Sequence, residues 1–155
     1  MHADVDASKP LCDHGAAHDA KGLSRPKDTI WRRNPRDQGV IGVGDAIAWF
    51  AAHGWDVSLP LIDNQPYDLV ADGDGGLQRV QVKTTTYRPR GTYLVQLATH
   101  GGNRSRHTSK DFEPSRIDLL YVLTDTQDRY LIPARAIRAR TSLSLGALMD
   151  AFRLP

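Results

Sequence analysis

The spacing of apolar and polar residues predicts one helix followed by a series of strands. Apolar residues recur at helical spacing over residues 40–53, and Gly54 ends that segment. Alternation of apolar and polar residues, typical of half-buried strands, then occupies three segments: 55–59, 67–72 and 77–84. The Gly/Asp run at 72–76 predicts a tight turn, so the second and third of these strands form a hairpin.

The second half of the chain continues the same sheet. We predict a strand at 92–98, a polar loop at 100–115 and an apolar buried strand at 117–124. A strand at 129–132 pairs with the buried strand, and two short helices follow at 133–139 and 146–152. Residues 1–37 have no apolar periodicity and predict a mobile N-terminal tail. Residues 38–155 therefore predict a single α/β (α+β) domain with a central mixed β-sheet flanked by helices.

Composition narrows the class of protein. The chain has 155 residues, of which 40% are apolar and 25% charged, as in soluble globular domains. It contains no apolar run long enough to span a membrane. Cys12 is the single cysteine, which excludes an internal disulfide and predicts a cytoplasmic location. Cys12, His14 and His18 do not predict zinc, because structural zinc sites use four ligands and usually paired cysteines.

The net charge of +2 conceals two oppositely charged segments. Residues 39–78 carry six Asp and no Lys or Arg, whereas residues 79–116 carry eight Lys or Arg against Asp111 and Glu113. A basic segment is suited to a polyanion, and acidic groups beside it could hold a divalent cation. The alternative is that both are ordinary solvated faces of a soluble protein.

The predicted hairpin brings together a carboxylate, an amide and an amine. Asp68 lies on one arm, and Gln81 and Lys83 lie on the other. Residues two apart in a strand share a face, so Gln81 and Lys83 project together while Val80 and Val82 point to the opposite layer. A lysine in a valine-flanked strand is costly to bury without a partner, and Asp68 would be that partner. The alternative for Lys83 is a packed stem whose amine reaches water.

These residue types suit magnesium chemistry. Mg²⁺ prefers hard oxygen ligands, and Asp68, Gln81 and the backbone carbonyl of Val82 would supply three. Such an ion would polarise a phosphodiester and lower the pKa of a bound water. Lys83 could orient that water or stabilise charge on the phosphate. The DGDGG run with Asp72 and Asp74 lacks the ligand spacing of an EF-hand and predicts a hairpin turn instead.

The motifs Pro66-Tyr67-Asp68 and Gln81-Val82-Lys83 resemble those of the PD-(D/E)xK nucleases. Within that superfamily the chain is most similar to the branch related to bacterial and phage group I intron homing endonucleases, in which the second acidic position can be Gln. The resemblance extends from about Gly39 to Gly146. It implies a restriction-endonuclease-like core and an Mg²⁺-dependent DNA endonuclease, with Mn²⁺ as a possible substitute and no other cofactor.

One position departs from that resemblance. Active relatives commonly add a glutamate from the first helix as a further metal ligand, and the matching position here is near Val43, which cannot bind a metal. Asp45 is two residues further along, roughly 200° around the helix. The alternative function is therefore a nucleic-acid-binding domain on the same scaffold, catalytically weakened or inactive.

The expected partner is DNA, held by basic side chains that follow the hairpin. We predict phosphate contacts from Arg88, Arg90, Arg104, Arg106 and Lys110. The alternative is that these residues form a solvated surface. A homo-oligomer, either a dimer or a tetramer, is compatible with the resemblance, and the scaffold serves homing, repair, restriction and phage functions alike.

Overall fold

The long α-helix of the described residues begins where proline and asparagine favour a helix start. The computed structural model describes residues 31, 34–62, 64–100 and 109–155. Helix α1 spans Pro35–Ala52, and the Asn34 side chain caps it by accepting the Arg36 backbone N–H at 2.9 Å. The helix ends at Ala52, and Gly54, just beyond the His53 cap, has a φ of 79° that favours glycine.

The helix therefore starts earlier than the apolar pattern predicted. Pro35 lies inside the predicted tail 1–37, and Trp31 also packs against the core from that segment. The Gln38 side-chain amide donates a hydrogen bond to the Trp31 carbonyl. Apolar spacing misses this first turn because its residues are exposed and polar. Residues 1–30, which make up most of the predicted tail, lie outside the described residues.

In the described part of the chain, nine strands follow the helix. They are β1 (Asp56–Ser58), β2 (Leu69–Gly73), β3 (Gly76–Thr85), β4 (Leu94–Gln96), β5 (Thr99–His100), β6 (Ser109–Lys110), β7 (Leu119–Thr124), β8 (Arg129–Pro133) and β9 (Ser142–Ser144). Five form the main sheet in the order β1-β2-β3-β7-β8, with β3 and β7 parallel and the other pairs antiparallel. The predicted mixed sheet and the β2–β3 hairpin are thus confirmed.

Each face of the sheet has its own buried cluster. The helix-side core, between α1 and the sheet, contains Ala46, Phe50, Leu69, Ala71, Val80, Val82, Tyr121 and Leu123. The opposite core includes Leu120 and Val122 of β7, Tyr130 and Ile132 of β8, and Val95 and Leu143 of the β4–β9 pair. The chain is therefore one α+β domain with a sheet covered on both faces.

The prediction that helices flank the sheet is wrong for the face opposite α1. Over 133–139 the structure has only a 3-10 turn at Ala134–Ala136, and over 146–152 only one at Asp150–Phe152. Ala134 and Ile137 are both buried in the core, and Ile137 is extended. The chain then runs to β9, which pairs with β4, so this face is covered by a two-stranded sheet.

Helix α1 packs closely on β3 at Gly42, and this contact can be tested. A Cβ at Gly42 would lie 2.5 Å from the Thr84 methyl carbon and 3.2 Å from Val82 Cγ1, whereas a Cβ at Gly44 meets nothing within 4 Å. We expect Gly42→Ala to destabilise the fold by about 1–2 kcal/mol, because overpacking outweighs the gain in helix propensity. Gly44→Ala should stabilise it by about 0.5–1 kcal/mol. Urea unfolding measures both, and equal effects of the two substitutions would contradict close packing at Gly42.

The part of the chain that the structure describes contains no helix long and apolar enough to cross a membrane.

Candidate active site

Asp68 lies directly before β2, at the open end of the β2–β3 hairpin, and is hydrogen-bonded to β3. Its backbone N–H donates to the Val80 carbonyl at 2.9 Å, one residue before β2 begins. Its half-buried side chain accepts the Val82 backbone N–H at 2.6 Å. The carboxylate is therefore held against β3 by a short hydrogen bond that fixes its position before any ligand arrives.

Gln81 and Lys83 project from the face of β3 opposite the helix. Val80 and Val82 are buried in the helix-side core, so the residues that alternate with them point the other way. The register pairs Lys83 with Val122, which is buried in the opposite core. Both Gln81 and Lys83 are half-buried rather than fully exposed. The lysine thus has apolar neighbours around its stem.

Lys83 and Asp68 interact electrostatically. Burial lowers the pKa of the Lys83 amine below its ordinary value, and the Asp68 carboxylate partly offsets this by raising it. The structure therefore brings together the carboxylate and the amine that the hairpin pattern placed on one face. A lysine whose pKa is lowered gives up its proton more readily than a solvated lysine.

The Val82 carbonyl faces the same strand edge as Asp68. The Val80 carbonyl points towards β2, since it accepts the Asp68 N–H. Residues two apart in a strand direct their backbone groups to the same side. The Val82 N–H, bound to the Asp68 carboxylate, and the Val82 carbonyl therefore lie on that edge. The Asp68 carboxylate, the Gln81 amide oxygen and this carbonyl are hard oxygens of the kind that Mg²⁺ prefers.

Neither of the α1 residues considered as a further metal ligand, Val43 and Asp45, joins Asp68, Gln81 and Lys83. Val43 is half-buried and packs against the helix-side core. Asp45 accepts hydrogen bonds from the Tyr121 hydroxyl at 2.7 Å and from Arg129 at 2.9 and 2.6 Å. Among the described residues no cluster of three or more His, Cys, Asp or Glu is placed to hold a metal ion.

A cavity of about 100 Å³ opens beside Gln81 and brings in residues that no local pattern marked. Its walls include Asn64 and Pro66 from the segment before Asp68, and Asp111, Glu113 and Arg116 from the connection between β3 and β7. In the sequence these three residues were visible only as contributions to the net charge of residues 79–116. Their position beside Gln81 depends on the path of a long crossover, for which no spacing rule exists.

The predicted DNA-binding residues have different surroundings. Arg88 donates to the Gly91 carbonyl at 2.8 Å, and its guanidinium lies 4.8 Å from the centre of the Tyr93 ring. Arg90 is exposed and has a φ of 54°, uncommon for a residue with a side chain. The backbone of Lys110 lies on β6, opposite Thr99. Arg104 and Arg106 lie outside the described residues.

A mixed sheet with one helix against it, and a carboxylate and a lysine on the arms of a central hairpin, is the arrangement of restriction-endonuclease-like nucleases. The chain belongs to the PD-(D/E)XK endonuclease family, whose model matches residues 33–147. It is 31% identical to Protein 5.3 of Escherichia phage T7 over 98 residues, which are 63% of this chain and 78% of the phage protein.

The fold also matches a solved structure of a bacterial homing endonuclease, I-Ssp6803I. The TM-score is 0.68 at 24% sequence identity, and the match covers 78% of this chain and 89% of the other. At that identity the likeness concerns the fold. The expected family and the restriction-endonuclease-like core are both confirmed.

Proposed function

We propose that the protein is an Mg²⁺-dependent DNA endonuclease whose site consists of Asp68, Gln81, the Val82 carbonyl and Lys83. The observation that carries the proposal is the short hydrogen bond from the Val82 N–H to the Asp68 carboxylate. That bond ties the carboxylate to the strand that also carries Gln81 and Lys83, which supports a site made of these groups. Family membership makes hydrolysis of DNA the expected reaction.

Each residue has a role that follows from its chemistry. Asp68, Gln81 and the Val82 carbonyl would hold the ion through oxygen atoms. When bound, magnesium (or manganese) polarises the phosphate and lowers the pKa of a coordinated water. Lys83 orients the attacking water, and its lowered pKa leaves a larger fraction of the amine deprotonated, and so able to accept a proton, than in a solvated lysine. The preorganised site needs little rearrangement when the phosphate arrives.

DNA would be held by the basic residues around the site. Arg90 is exposed on the turn that follows β3, and Arg116 lies at the cavity beside Gln81. Arg88 is held by Gly91 and Tyr93, so it would present its charge from a fixed position. We include Arg104, Arg106 and Lys110 in the proposed footprint because of their place in the basic segment. Contacts to phosphates give affinity that falls as salt rises.

Cleavage of a supercoiled plasmid tests this function. We expect nicked or linear product when Mg²⁺ or Mn²⁺ is present, and none when a chelator replaces the metal. Lys83→Met, purified in parallel, controls for contaminating nuclease and should give no product above background. Metal-independent cleavage, or equal cleavage by both proteins, would contradict the proposal.

A second candidate function is DNA binding without cleavage. It is favoured by one observation: Val43 packs in the core and Asp45 is bound to Arg129 and Tyr121, so neither supplies a further carboxylate to Asp68. A wild-type protein that binds DNA but cleaves no plasmid with either metal would support this candidate.

A further inference from the structure

The chain leaves β3 through a tight turn that carries an exposed aromatic ring and an exposed arginine. We call residues 87–91 the exit turn. The Thr92 N–H donates to the Pro89 carbonyl at 3.2 Å, and the two residues between them, Arg90 and Gly91, have φ values of 54° and 84°. Two successive positive φ values are typical of the type I′ turns that connect adjacent strands. The exit turn therefore has a defined backbone conformation.

The backbone of Arg90 is strained. Asparagine or glycine adopts a positive φ more easily than arginine does, and such strain occurs preferentially at functional sites. Arg88 stabilises the strained turn, since its Nε donates to the Gly91 carbonyl at 2.8 Å and its guanidinium lies over the Tyr93 ring. The exposed Arg90 side chain itself makes no hydrogen bond or ion pair with another described residue. The strain therefore brings no contact within this part of the chain.

Tyr87 places an aromatic ring beside this arginine. Its side chain is 62% exposed, but its backbone is held on both sides. The Tyr87 N–H donates to the Thr85 hydroxyl at 3.2 Å, and its carbonyl accepts the Leu94 N–H at 2.9 Å. An exposed ring next to basic side chains is the combination with which proteins stack on bases and neutralise the phosphates beside them.

The charge of the surrounding segment also favours DNA as the partner. Residues 79–110 contain no Asp or Glu, whereas they contain seven Lys or Arg. Asp128 lies close enough to Arg88 to interact with its charge, but it is ion-paired with Arg153. The sequence around the exit turn therefore attracts a polyanion.

The exit turn is within reach of DNA held at the candidate active site. Tyr87 is four residues beyond Lys83 along the chain, so their Cα atoms are at most about 13–14 Å apart. At 3.4 Å per nucleotide, that distance corresponds to about four nucleotides of a B-form strand. A strand with one phosphate at Lys83 would therefore have a nearby nucleotide within reach of the exit turn.

From this conformation, charge and position we propose that the exit turn binds an unpaired base near the cleaved phosphate. The Tyr87 ring stacks on the base, and Arg90 contacts the phosphate beside it. In a duplex the faces of each base are covered by its neighbours, so an exposed ring gains a stacking partner where a base is unpaired. The substrate class is therefore duplex DNA with unpaired bases. This inference rests on the proposed function, because it takes the DNA to lie at Lys83.

Binding of two matched DNAs tests the stacking. One is a duplex with a central bubble of mismatched bases, and the other is the same duplex fully paired; both are titrated with the full-length protein in chelator. We expect wild type to bind the bubble about tenfold more tightly, as one stacked base would give. Tyr87→Ala should lose this preference without a change in the slope of log affinity against log salt, and Tyr87→Phe should keep it.

Asparagine at position 90 separates strain from function. Arg90→Asn should melt at a higher temperature than wild type, because asparagine adopts the positive φ more easily. It should also bind DNA more weakly, with a salt slope smaller by about 0.7–0.9. Gln127→Asn is the matched control, since Gln127 is exposed and has a φ of 67°. It should also melt higher, but with unchanged affinity and slope.

The remaining outcomes overturn the proposal. Equal affinity of wild type for both DNAs, or a preference for the bubble that survives in Tyr87→Ala, shows that the ring does not stack on a base. A lower melting temperature of Arg90→Asn with an unchanged salt slope assigns Arg90 to the stability of the turn. Because binding is measured without metal, a protein that shows the expected effects but cuts no plasmid contradicts only the proposed catalysis. One that cuts plasmid but shows none of them contradicts only the role of the exit turn.

Discussion

Replacing Lys83 with methionine should abolish cleavage while leaving the protein folded and able to bind DNA. We expect the cleavage rate to fall at least about a thousandfold, because the substitution removes the group proposed to orient the water and to stabilise the phosphate charge. Asp68→Asn should have an effect of similar size. The two residues act as a unit, so the double variant should lose little more than either single variant.

The measurement is single-turnover plasmid cleavage, with binding followed separately in chelator. Lys83→Met should change the salt slope of binding by about one unit or less. A double variant whose losses multiply would show that Asp68 and Lys83 act independently. Loss of binding in parallel with cleavage would place Lys83 in the DNA footprint instead of the catalytic step.

The same substitution should not reduce stability at neutral pH. Burial lowers the pKa of Lys83 from its ordinary value of 10.5, so the folded state binds fewer protons than the unfolded state. The cost of burying the ammonium is therefore fully present below the folded pKa and disappears as the pH rises towards 10.5. Methionine keeps the packed stem without the charge. Lys83→Met should thus melt at or above the wild-type temperature at pH 7, with a smaller difference near pH 10.

Replacing Asp45 with alanine should destabilise the fold and leave the chemistry intact. The change leaves the Tyr121 hydroxyl, in a fully buried residue, and the partly buried Arg129 without their acceptor. We expect the free energy of unfolding to fall by about 2 kcal/mol, between the values for breaking surface and fully buried salt bridges. Cleavage per folded molecule should stay within about threefold of wild type, because loss of one ligating carboxylate would cost far more.

The pH dependence gives a second test of Asp45. Burial alone would raise its pKa, but hydrogen bonds from Arg129 and Tyr121 bring it below the ordinary 3.8 on balance. A carboxyl with a lowered folded pKa stabilises the protein above its unfolded pKa, and this contribution is lost as the pH falls through the folded value. Urea unfolding should therefore separate wild type from Asp45→Ala more at pH 7 than at pH 3.

Asp128→Asn is the matched control for Asp45. Asp128 pairs with Arg153, whose side chain is 52% exposed, so solvent screens that pair and its loss should have a much smaller effect. If Asp45→Ala unfolds like wild type but loses cleavage, Asp45 acts in the site and our structural assignment is wrong.

The sequence alone determined the features that depend on neighbouring residues. Alternation along β3 separates Val80 and Val82 from Gln81 and Lys83, because successive side chains of a strand point to opposite faces. The Gly/Asp run fixed the hairpin that returns Asp68 to this strand, and the register pairs Leu69 with Val80. A fold class and the residues of a candidate site followed from these local rules, and the family from the resemblance of two short motifs.

Only the tertiary structure decided the features that join distant segments. Asp45 meets Arg129, 84 residues away, because α1 packs on β3 and β7 and this brings Asp45 within reach of the neighbouring strand β8. Helical spacing in the sequence gives no indication of that partner. Residues 133–139 favoured a helix locally, but burial of Ala134 and Ile137 and the pairing of β9 with β4 kept the chain extended. Asp111, Glu113 and Arg116 reach Gln81 through a crossover. Local propensity is worth tenths of a kcal/mol per residue, and packing across the core outweighs it.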